Sequence, residues 1–382
     1  MDVADIVDIA IVGGGPAGAW TAERLARAGA RVTIFDPSHP REKPCGGGVT
    51  GRALALVRDA VDPASFGRTT IRRARFGASA VVPLDGDALV VASREAFDAA
   101  ILAAAERAGA RVERVRVRDV SVASDGVRLD TDAGPRRASF VVGADGANSI
   151  VRRRLARPFE RAQLSIATGV FARGITSDEI VLEFDANPSG YLWSFPRPDH
   201  LAIGICAAAD AGVGAADLRA RAVEWTRNAR LADGAPLEAY SWPIPTLSPR
   251  DFDGLTVDGP RWALAGDAAG LVDPITREGI YFALASGAWL AEALARHDVR
   301  AYRERVRDEA VSELARAARV KELFFRPAFT RLLVRALGQS AAIRSVMADL
   351  IAGRQSYRTL KWRLLSTWEW GLAARALREG LG

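Results

Sequence analysis

The segment from Pro40 to Leu54, PREKPCGGGVTGRAL, places Cys45 directly before three consecutive glycines. The chain has only two cysteines, and a thiol can donate a proton or, as a thiolate, act as a nucleophile. Because Gly46, Gly47 and Gly48 carry no side chains, a bound ligand can lie against their backbone and leave the sulfur within its reach. We therefore predict that Cys45 contacts a cofactor or a substrate, and it is a candidate proton donor.

Three aromatic side chains alternate in the segment PSGYLWSFPRPDHLAIGIC, which runs from Pro188 to Cys206. Tyr191, Trp193 and Phe195 are two residues apart, so on a β-strand they share one face. Each ring can bury about 150–250 Å², and a row of rings can wall an apolar slot suited to a long hydrocarbon chain. The alternation alone is typical of the core of an ordinary sheet, so the prediction of an apolar slot also depends on the other motifs.

The segment GGGPAG near the N-terminus has the GxGxxG spacing at Gly13, Gly15 and Gly18. The first glycine permits a tight turn, the second lets the backbone approach a pyrophosphate, and the third lets a helix pack on a strand. Asp36 ends the next strand-like segment, where a carboxylate accepts hydrogen bonds from an adenosine ribose and repels the 2′-phosphate of NADP. This combination predicts that the chain binds a dinucleotide.

Two later segments place an aspartate after an apolar strand: Asp145 lies in VVGADGANSIVR and Asp267 in ALAGDAAGLVDPITREGI. The Asp267 carboxylate can accept hydrogen bonds from a polyol. The amides of Gly279 and Ile280, at the start of the following helix, can donate to a carbonyl of a redox cofactor and stabilise its anionic reduced form. Either segment alone is better explained by a buried capping aspartate, so the prediction rests on both occurring together.

Taken in this order, the three segments resemble the FAD-binding flavoproteins of the aromatic-hydroxylase type over residues 7–295. Two motifs narrow the resemblance to the geranylgeranyl reductases. They are KPCGGGVT, around Cys45, and the YxWxFP pattern that begins at Tyr191. That family continues with GxG where this chain has Gly204 and then Cys206, so we expect the detailed shape of the pocket to differ.

The resemblance implies which residues hold FAD. In that family an acid at the position of Asp36 holds the adenosine ribose, and an acid at the position of Asp267 holds the ribityl chain. The arginine of SREAFD, Arg94, contacts the cofactor, and Val117 matches a backbone contact to adenine. Cys45, Tyr191, Trp193 and Phe195 are the implied catalytic residues. The implied cofactor-binding residues are Gly13, Gly15, Pro16, Ala17, Gly18, Asp36, Cys45, Gly46, Gly47, Gly48, Arg94, Val117, Asp145, Gly266, Asp267, Pro274, Gly279 and Ile280.

Around these residues the sequence predicts an α/β fold. Residues 7–36 have the pattern of strand, glycine turn, helix and strand that opens a doubly wound parallel sheet. The other two segments with nucleotide-binding features, around Asp145 and Asp267, lie far from this unit in the sequence. We therefore predict a Rossmann-like FAD-binding domain that is discontinuous (1–64, 93–158 and 253–300), an inserted antiparallel-sheet substrate-binding domain (65–92 and 159–252) and a C-terminal helical region (301–382).

The resemblance implies an FAD-dependent reductase that saturates the double bonds of a polyprenyl group, in a geranylgeranyl-type lipid or a prenyl quinone side chain. Two alternatives stay open: an oxygen-using monooxygenase or halogenase acting on a hydrophobic small molecule, and a non-enzymatic flavoprotein or lipid-binding module. Flavin halogenases use a lysine near the substrate, and the three lysines here (Lys43, Lys321 and Lys361) leave the expected region empty. No second complete GxGxxG unit is present, so the electron donor is NAD(P)H bound transiently, ferredoxin or another redox protein.

The composition indicates which cellular environment and which classes of binding partner to expect. Two cysteines cannot form a disulfide framework, which predicts a reducing, cytoplasmic environment. The three histidines have no metal-ligand spacing, so no metal site is expected, and His39 is predicted to lie in a surface loop. Residues 301–382 carry 16 basic and 8 acidic residues, a net charge of +8. Such a tail is most simply a solvated helical face, but it also suits peripheral contact with an anionic membrane, and nucleic acid is not an expected partner.

Overall fold

The computed structural model describes residues 9–367. The strands of this part of the chain, numbered in order, are β1 (Ile9–Val12), β2 (Val32–Phe35), β3 (Gly48–Thr50), β4 (Arg68–Thr70), β5 (Arg73–Phe76), β6 (Ala80–Pro83), β7 (Leu89–Ala92), β8 (Arg111–Glu113), β9 (Val117–Ala123), β10 (Gly126–Thr131), β11 (Gly134–Ala138), β12 (Phe140–Gly143), β13 (Leu164–Arg173), β14 (Glu179–Ala186), β15 (Ser189–Pro196), β16 (His200–Ala208), β17 (Leu237–Pro245), β18 (Asp258–Gly259) and β19 (Trp262–Leu264). Its α-helices are α1 (Pro16–Arg27), α2 (Gly51–Val57), α3 (Arg94–Arg107), α4 (Ile150–Leu155), α5 (Ala215–Asn228), α6 (Pro249–Asp253), α7 (Ile280–Ala295), α8 (Val299–Arg305), α9 (Ser312–Phe324), α10 (Pro327–Gln339), α11 (Ala341–Ile351) and α12 (Tyr357–Leu365).

The N-terminal segment forms the predicted βαβ unit. β1 and β2 are parallel and are joined by α1, which begins at Pro16. Proline suits a first helical turn because its fixed φ matches a helix and it lacks an amide proton that would go unbonded. The strands extend into a six-stranded sheet in the order β18-β19-β12-β1-β2-β8, parallel except at its β18 edge. Every residue of β1 and β12 is buried, as expected for a parallel sheet covered on both faces.

A second, seven-stranded sheet has the order β17-β13-β16-β15-β14-β5-β6. It is antiparallel except where β14 pairs with β5. One face buries Leu192 of β15 against Leu218 and Trp225 of α5. The opposite face buries Trp193 and Cys206, so successive side chains of β15 point to opposite sides of the sheet.

The C-terminal helices pack closely onto both sheets. The side chain of Tyr302 is completely buried, and its hydroxyl donates to the Leu264 carbonyl oxygen of β19 over 2.6 Å. Leu337 of α10 and Met347 of α11 are buried in the same cluster as Phe76 of β5. Between residues 9 and 367, every helix is too short or too polar to cross a lipid bilayer.

This architecture confirms the predicted fold class, because a parallel nucleotide-binding sheet, a largely antiparallel second sheet and C-terminal helices are all present. The domain boundaries stay a prediction. Residues 65–92 divide between two sheets: β4 and β7 form a small sheet with β3, whereas β5 and β6 extend the seven-stranded sheet. Residues 368–382 of the predicted helical region lie outside the described residues.

Candidate active site

A cavity of about 290 Å³ is lined by loops at the ends of the parallel strands, by the seven-stranded sheet and by helices α9 and α11. A crevice at the carboxyl ends of the strands is where open α/β sheets bind their ligands. The predicted site residues that line it are Gly15, Pro16, Ala17, Cys45, Gly46, Gly47, Gly48, Arg94, Tyr191, Trp193, Phe195, Asp267, Gly279 and Ile280. Those that do not line it are Gly13, Gly18, Asp36, Val117, Asp145, Gly266 and Pro274.

The turn between β1 and α1 accepts only glycine at two positions. Gly13 has a φ of +105°, and a Cβ there would lie 2.4 Å from the Ala144 carbonyl oxygen. A Cβ on Gly18 would lie 1.9 Å from the Gly13 carbonyl oxygen, so α1 packs directly on the turn. A Cβ on Gly15 would meet nothing closer than the His39 ring, 3.6 Å away. This open space at the amide end of α1 suits a pyrophosphate.

Asp36 is held by hydrogen bonds from its own chain. Its Oδ2 accepts from the Gly14 amide and faces Nδ1 of His39, each at 2.7 Å. Its Oδ1 accepts from the amides of Ser38 (2.7 Å) and His39 (2.8 Å). Burial alone would raise the pKa of Asp36, but His39 and the amides outweigh burial and lower it. The prediction that His39 lies in a surface loop is wrong, because its ring is buried between Asp36 and Asp98.

Asp145 and Asp267 both keep acceptor atoms free. Oδ2 of Asp145 accepts from the Ile150 amide over 2.6 Å, whereas its Oδ1 is buried without a partner among the described residues. Burial raises the pKa of Asp145 to about 6, although its hydrogen bonds act to lower it. The Asp267 carboxylate faces the cavity and makes no hydrogen bond with a described residue. In residues 9–367, no three His, Cys, Asp or Glu side chains come together in a group that could hold a metal ion.

The residues present fit FAD. The open space over Gly15, the orphaned acceptor of Asp145 and the free carboxylate of Asp267 are features that a diphosphate and a hydroxyl-bearing chain can satisfy. A Cβ on Gly279 would lie 3.1 Å from Asp267 Oδ1, so this carboxylate packs against the start of α7. Burial raises the pKa of Asp267, which the neighbouring cations partly offset. Gly266 has a φ of +58° and turns the chain immediately before Asp267.

Cys45 contacts two guanidinium groups. Its sulfur lies 3.4 Å from Nη1 of Arg94 and 3.9 Å from Nη2 of Arg197. Arg94 is fixed by Asp98, one turn later on α3, through two hydrogen bonds of 2.9 Å each. The cysteine is half-buried and lines the cavity, so the sulfur has nitrogen donors on one side and ligand space on the other. The catalytic role of Cys45 stays a prediction.

Glu42 and Arg197, which no sequence motif indicated, fix the loop that carries Cys45. Arg197 is fully buried, pairs with Glu42 through Nη1 and donates through Nη2 to the Cys45 carbonyl oxygen over 2.5 Å. Glu42 also accepts from Oγ of Ser93 (2.7 Å) and from the Arg94 amide (2.9 Å). Burial would raise the pKa of Glu42, but Arg197 and these donors hold it below its ordinary value. The loop is thereby tied to both β15 and α3.

The three consecutive glycines make room for side chains of this protein as well as for a ligand. A Cβ on Gly46 would lie 3.0 Å from the Phe195 ring, and one on Gly48 would lie 3.2 Å from it. Gly47 has a φ of +82°, and a Cβ there would lie 2.5 Å from the Ala92 carbonyl oxygen. Phe195 therefore packs directly against the glycine loop, and the two motifs form one continuous wall of the cavity.

The aromatic residues of β15 share one face, as their alternation predicts. The ring centroids of Tyr191 and Trp193 are 5.8 Å apart. Trp193 pairs with Gly204 of β16, where a Cβ would lie 2.5 Å from the indole. Cys206 pairs with Tyr191 and lines the cavity. The departure from the GxG pattern therefore places a thiol, instead of bare backbone, in the wall.

The far part of the cavity is apolar and is closed by helices α9 and α11. Its side chains are ordinary core types, and no sequence motif indicated them because their positions depend on how the C-terminal helices fold back onto the sheet. A slot of this kind suits a hydrocarbon chain. The residues that line it are Phe76, Leu89, Ile180, Leu182, Phe184, Phe324, Met347, Leu350 and Ile351.

Lys43, two residues before Cys45, lines the cavity, although the sequence leaves empty the region in which a halogenase lysine is expected. Nζ of Lys43 lies 5.8 Å from the centroid of the Trp242 ring. Burial lowers the pKa of Lys43 and Arg94 lowers it further, whereas Asp98 and Asp267 raise it. The scarcity of lysines therefore does not exclude a halogenase.

The chain matches the FAD binding domain family over residues 6–319. It is 32% identical over 310 residues to a geranylgeranyl diphosphate reductase of Rhodobacter capsulatus, which covers 75% of this chain and 74% of that protein. It is 31% identical over 322 residues to a menaquinone reductase of Mycolicibacterium smegmatis, which covers 75% of this chain and 76% of the relative.

Solved structures share the fold. A geranylgeranyl bacteriochlorophyll reductase-like protein of Thermoplasma acidophilum has a TM-score of 0.77 at 20% identity and covers 94% of this chain and 98% of its own. A flavin-dependent brominase has a TM-score of 0.71 at 21% identity, with coverage of 94% and 98%. Because one fold carries both a reductase-like protein and a brominase, the fold alone does not decide the reaction.

Proposed function

The chain belongs to the geranylgeranyl reductase family of FAD-dependent oxidoreductases, and from this premise we propose that it saturates carbon–carbon double bonds in the polyprenyl chain of a lipid or a prenyl quinone. One observation carries the proposal. The Cys45 loop and the aromatic row of β15 meet in one wall, in the same cavity as the residues that fit FAD. The apolar part of that cavity, closed by α9 and α11, takes the prenyl chain.

Bound FAD supplies the two-electron, hydride-donating chemistry. The start of α7 and the free carboxylate of Asp267 would hold the cofactor. Tyr191, Trp193 and Phe195 exclude water and position the alkene. Apolar contacts must do this because an isolated double bond carries no charge that a polar side chain could bind. In this scheme Cys45 donates the proton that completes the reduction.

The reaction is tested with FAD-loaded protein reduced by dithionite under anaerobic conditions. A prenyl diphosphate and a prenyl quinone are offered separately, and mass spectrometry measures the gain of two hydrogens per double bond. Product masses unchanged for every prenyl lipid contradict the proposal. We propose NAD(P)H or reduced ferredoxin as the donor, and comparing the rates of FAD reduction by each identifies it.

The oxygen-using alternatives are tested in the same assay. Air and NAD(P)H are supplied with a hydrophobic acceptor, with and without bromide. NAD(P)H oxidation that requires oxygen and yields an oxygenated or brominated product would favour a monooxygenase or a halogenase. A hydrogenated product that forms only without oxygen favours the reductase.

We also propose that the protein is cytoplasmic and touches an anionic membrane surface through α12, from which a lipid substrate enters. Trp362 is 69% exposed and Leu365 is 45% exposed, next to the cationic Lys361. Exposed apolar side chains beside a cation suit the interface of a membrane. Trp362→Ala and Lys361→Glu should reduce co-sedimentation with anionic liposomes while turnover of detergent-dispersed substrate is unchanged. Equal co-sedimentation of wild type and both variants would rule out this contact.

A further inference from the structure

Asp273, in the loop that precedes α7, is a buried carboxylate that forms no ion pair with a cation in residues 9–367. A carboxylate withdrawn from water without a counter-charge depends on hydrogen-bond donors. One of these donors comes from the C-terminal helices: the hydroxyl of Tyr357, at the start of α12, lies 2.9 Å from Oδ2 and 3.2 Å from Oδ1 of Asp273. Burial of the hydroxyl and the charge of Asp273 raise the pKa of Tyr357 well above its ordinary value, so the phenol keeps its proton.

Asp273 in turn fixes the segment between Asp273 and Glu278, which we call the Asp273 loop. Oδ1 of Asp273 accepts from the amides of Ile275 (2.8 Å) and Thr276 (3.0 Å). Its backbone closes the same loop, because its amide donates to the Glu278 carbonyl oxygen and its carbonyl oxygen accepts from the Arg277 amide, each over 3.0 Å. Four hydrogen bonds from one residue therefore set the path of this loop.

The Asp273 loop carries two features of the candidate active site. The Thr276 carbonyl oxygen accepts from the Tyr191 hydroxyl over 3.1 Å, so the loop holds the first ring of the aromatic row. The loop runs directly into Gly279, which caps the start of α7. Gly279 and Ile280 line the cavity, and amides at a helix start stabilise an anionic ligand. A shift of the loop would therefore move both the aromatic row and these amides.

Tyr357 is itself held in place from its other side by Glu313 of α9. Oε1 of Glu313 accepts from the Tyr357 amide, and Oε2 accepts from Oγ of Ser356 over 3.1 Å. The start of α12 is thereby tied to α9, and the hydroxyl cannot leave Asp273 without breaking these contacts as well. The Asp273 loop thus has a fixed external support.

We propose that Tyr357 is a positioning residue that acts through Asp273 on bound FAD. Tyr357 does not line the cavity, so its influence passes through the loop. Without the hydroxyl, Asp273 loses a donor, the loop is held less firmly and the negative charge of Asp273 is less well neutralised. Each of these changes destabilises the anionic reduced form of FAD more than the oxidised form. The inference goes beyond the proposed reaction, since it concerns the cofactor and involves no substrate.

The test is the reduction potential of FAD bound to the full-length protein, measured by equilibration with a redox dye. Tyr357→Phe keeps the ring and removes the hydroxyl. It should lower the ratio of affinities for reduced over oxidised FAD about tenfold, the lower end of what a hydrogen bond to a charged group contributes. For this two-electron couple, a tenfold change lowers the potential by about 30 mV.

Tyr302→Phe is the matched control, because it removes the hydroxyl of a fully buried tyrosine that donates to the Leu264 carbonyl oxygen. Its melting temperature should fall at least as far as that of Tyr357→Phe, while its FAD keeps the wild-type potential. A wild-type potential in Tyr357→Phe, or an equal fall in both variants, would leave Tyr357 with a structural role only and overturn the proposal.

Asp273→Asn tests the route of the effect. The asparagine keeps an oxygen for the two amides and removes the charge that Tyr357 neutralises. In this background, Tyr357→Phe should leave the potential unchanged, because residues that act through one another give non-additive effects. A further fall of the same size in the double variant would show that Tyr357 acts by another route and overturn the proposal. All of these potentials are measured without substrate, so failure to reduce any prenyl lipid would contradict the proposed function and leave this inference standing.

Discussion

Nδ1 of His39 lies 2.7 Å from Oδ2 of Asp36, and Nε2 of the same ring lies 3.7 Å from Oδ2 of Asp98. Nδ1 of His39 is therefore paired with the acid that follows β2, and Nε2 faces the acid that fixes Arg94 without forming a hydrogen bond to it. Because Arg94 in turn contacts the Cys45 sulfur, one chain of polar contacts connects the predicted adenosine end of the site with the loop that carries the thiol. A substitution of Asp36 is therefore expected to affect the loop that carries Cys45 as well as the turn that contains Asp36.

Asp36→Asn should destabilise the protein at neutral pH. The new amide group replaces an acceptor oxygen and faces buried donors, and each donor left without an acceptor costs about 1–3 kcal/mol. The folded pKa of Asp36 is lowered, so its charge stabilises the fold above the unfolded pKa of about 3.9 and that stability is lost as the pH falls below it. Urea unfolding should show a deficit that shrinks below about pH 4. Asp59→Asn, at an exposed ion pair with Arg24, is the control, and a deficit independent of pH would contradict the assignment.

Gly46→Ala should destabilise the protein through Phe195. The added Cβ would lie 3.0 Å from the ring, which must move, and overpacking of this kind costs about 1–3 kcal/mol. Phe195→Leu in the same chain should recover part of that loss, because the smaller side chain makes room. Gly338→Ala is the control, since nothing lies within 4 Å of a Cβ there and alanine favours a helix. Equal melting temperatures for both alanine variants would show that the Phe195 ring does not prevent a larger side chain at position 46.

The sequence located the parts of the site that depend on local rules. Gly13 and Gly18 were identifiable because a tight turn and a close helix contact forbid a side chain there, and both conditions hold in the structure. Tyr191 and Trp193 were identifiable because strand alternation puts them on one face. Such constraints act within a few residues, so they leave a pattern in the sequence.

The parts that the sequence did not locate depend on contacts between distant segments. Glu42 and Arg197 look like ordinary surface charges until the glycine loop meets the end of β15, where they become a buried pair. His39 was expected in a loop at the surface, but its ring is buried beside Asp98 of α3, a residue distant from it in the sequence. Phe324 lines the cavity only because α9 folds back over the sheet. The local sequence around each of these residues does not indicate which distant segment the residue will contact.

Glu42→Gln should destabilise the protein strongly, because it leaves the fully buried guanidinium of Arg197 without a counter-charge. Breaking a buried pair costs about 3–5 kcal/mol, and the double variant with Arg197→Met should lose less than the two single variants added together. Alkylation of Cys45 in the native protein should also become faster, because the pair holds its loop. Glu304→Gln, at an exposed pair with Arg300, should change the free energy of unfolding by less than about 1 kcal/mol. A cost for Glu42→Gln no larger than this control would rule out a structural role for the pair.

Cys45→Ala should separate proton delivery from electron transfer. Loss of a general acid slows product formation by about 10²–10⁴-fold, whereas reduction of bound FAD by dithionite should proceed at the wild-type rate. Stopped-flow absorbance follows the FAD, and mass spectrometry follows the product. Cys206→Ala, which removes the other thiol of the cavity wall, is the control and should change product formation little. Equal slowing of FAD reduction and product formation by Cys45→Ala would assign this thiol to holding the cofactor instead.

Asp145 should make the FAD-free protein less stable as the pH rises. Burial raises its folded pKa to about 6. The unfolded value is about 3.9, so the contribution of Asp145 to stability is complete below about pH 4 and is lost as the pH passes through 6. At about 1.4 kcal/mol per pKa unit, the difference amounts to roughly 3 kcal/mol.

Asp145→Asn removes this titration but keeps an oxygen for the Ile150 amide. The FAD-free variant should therefore melt at a higher temperature than wild type at pH 8 and at the same temperature near pH 4. Fluorescence titration should show weaker FAD binding by the variant, because the orphaned acceptor Oδ1 is then unavailable to the cofactor. Asp125→Asn, at an exposed ion pair with Arg137, should change neither quantity. A variant that melts below wild type at pH 8 would show that the Asp145 carboxylate is stabilised, not strained, by its surroundings.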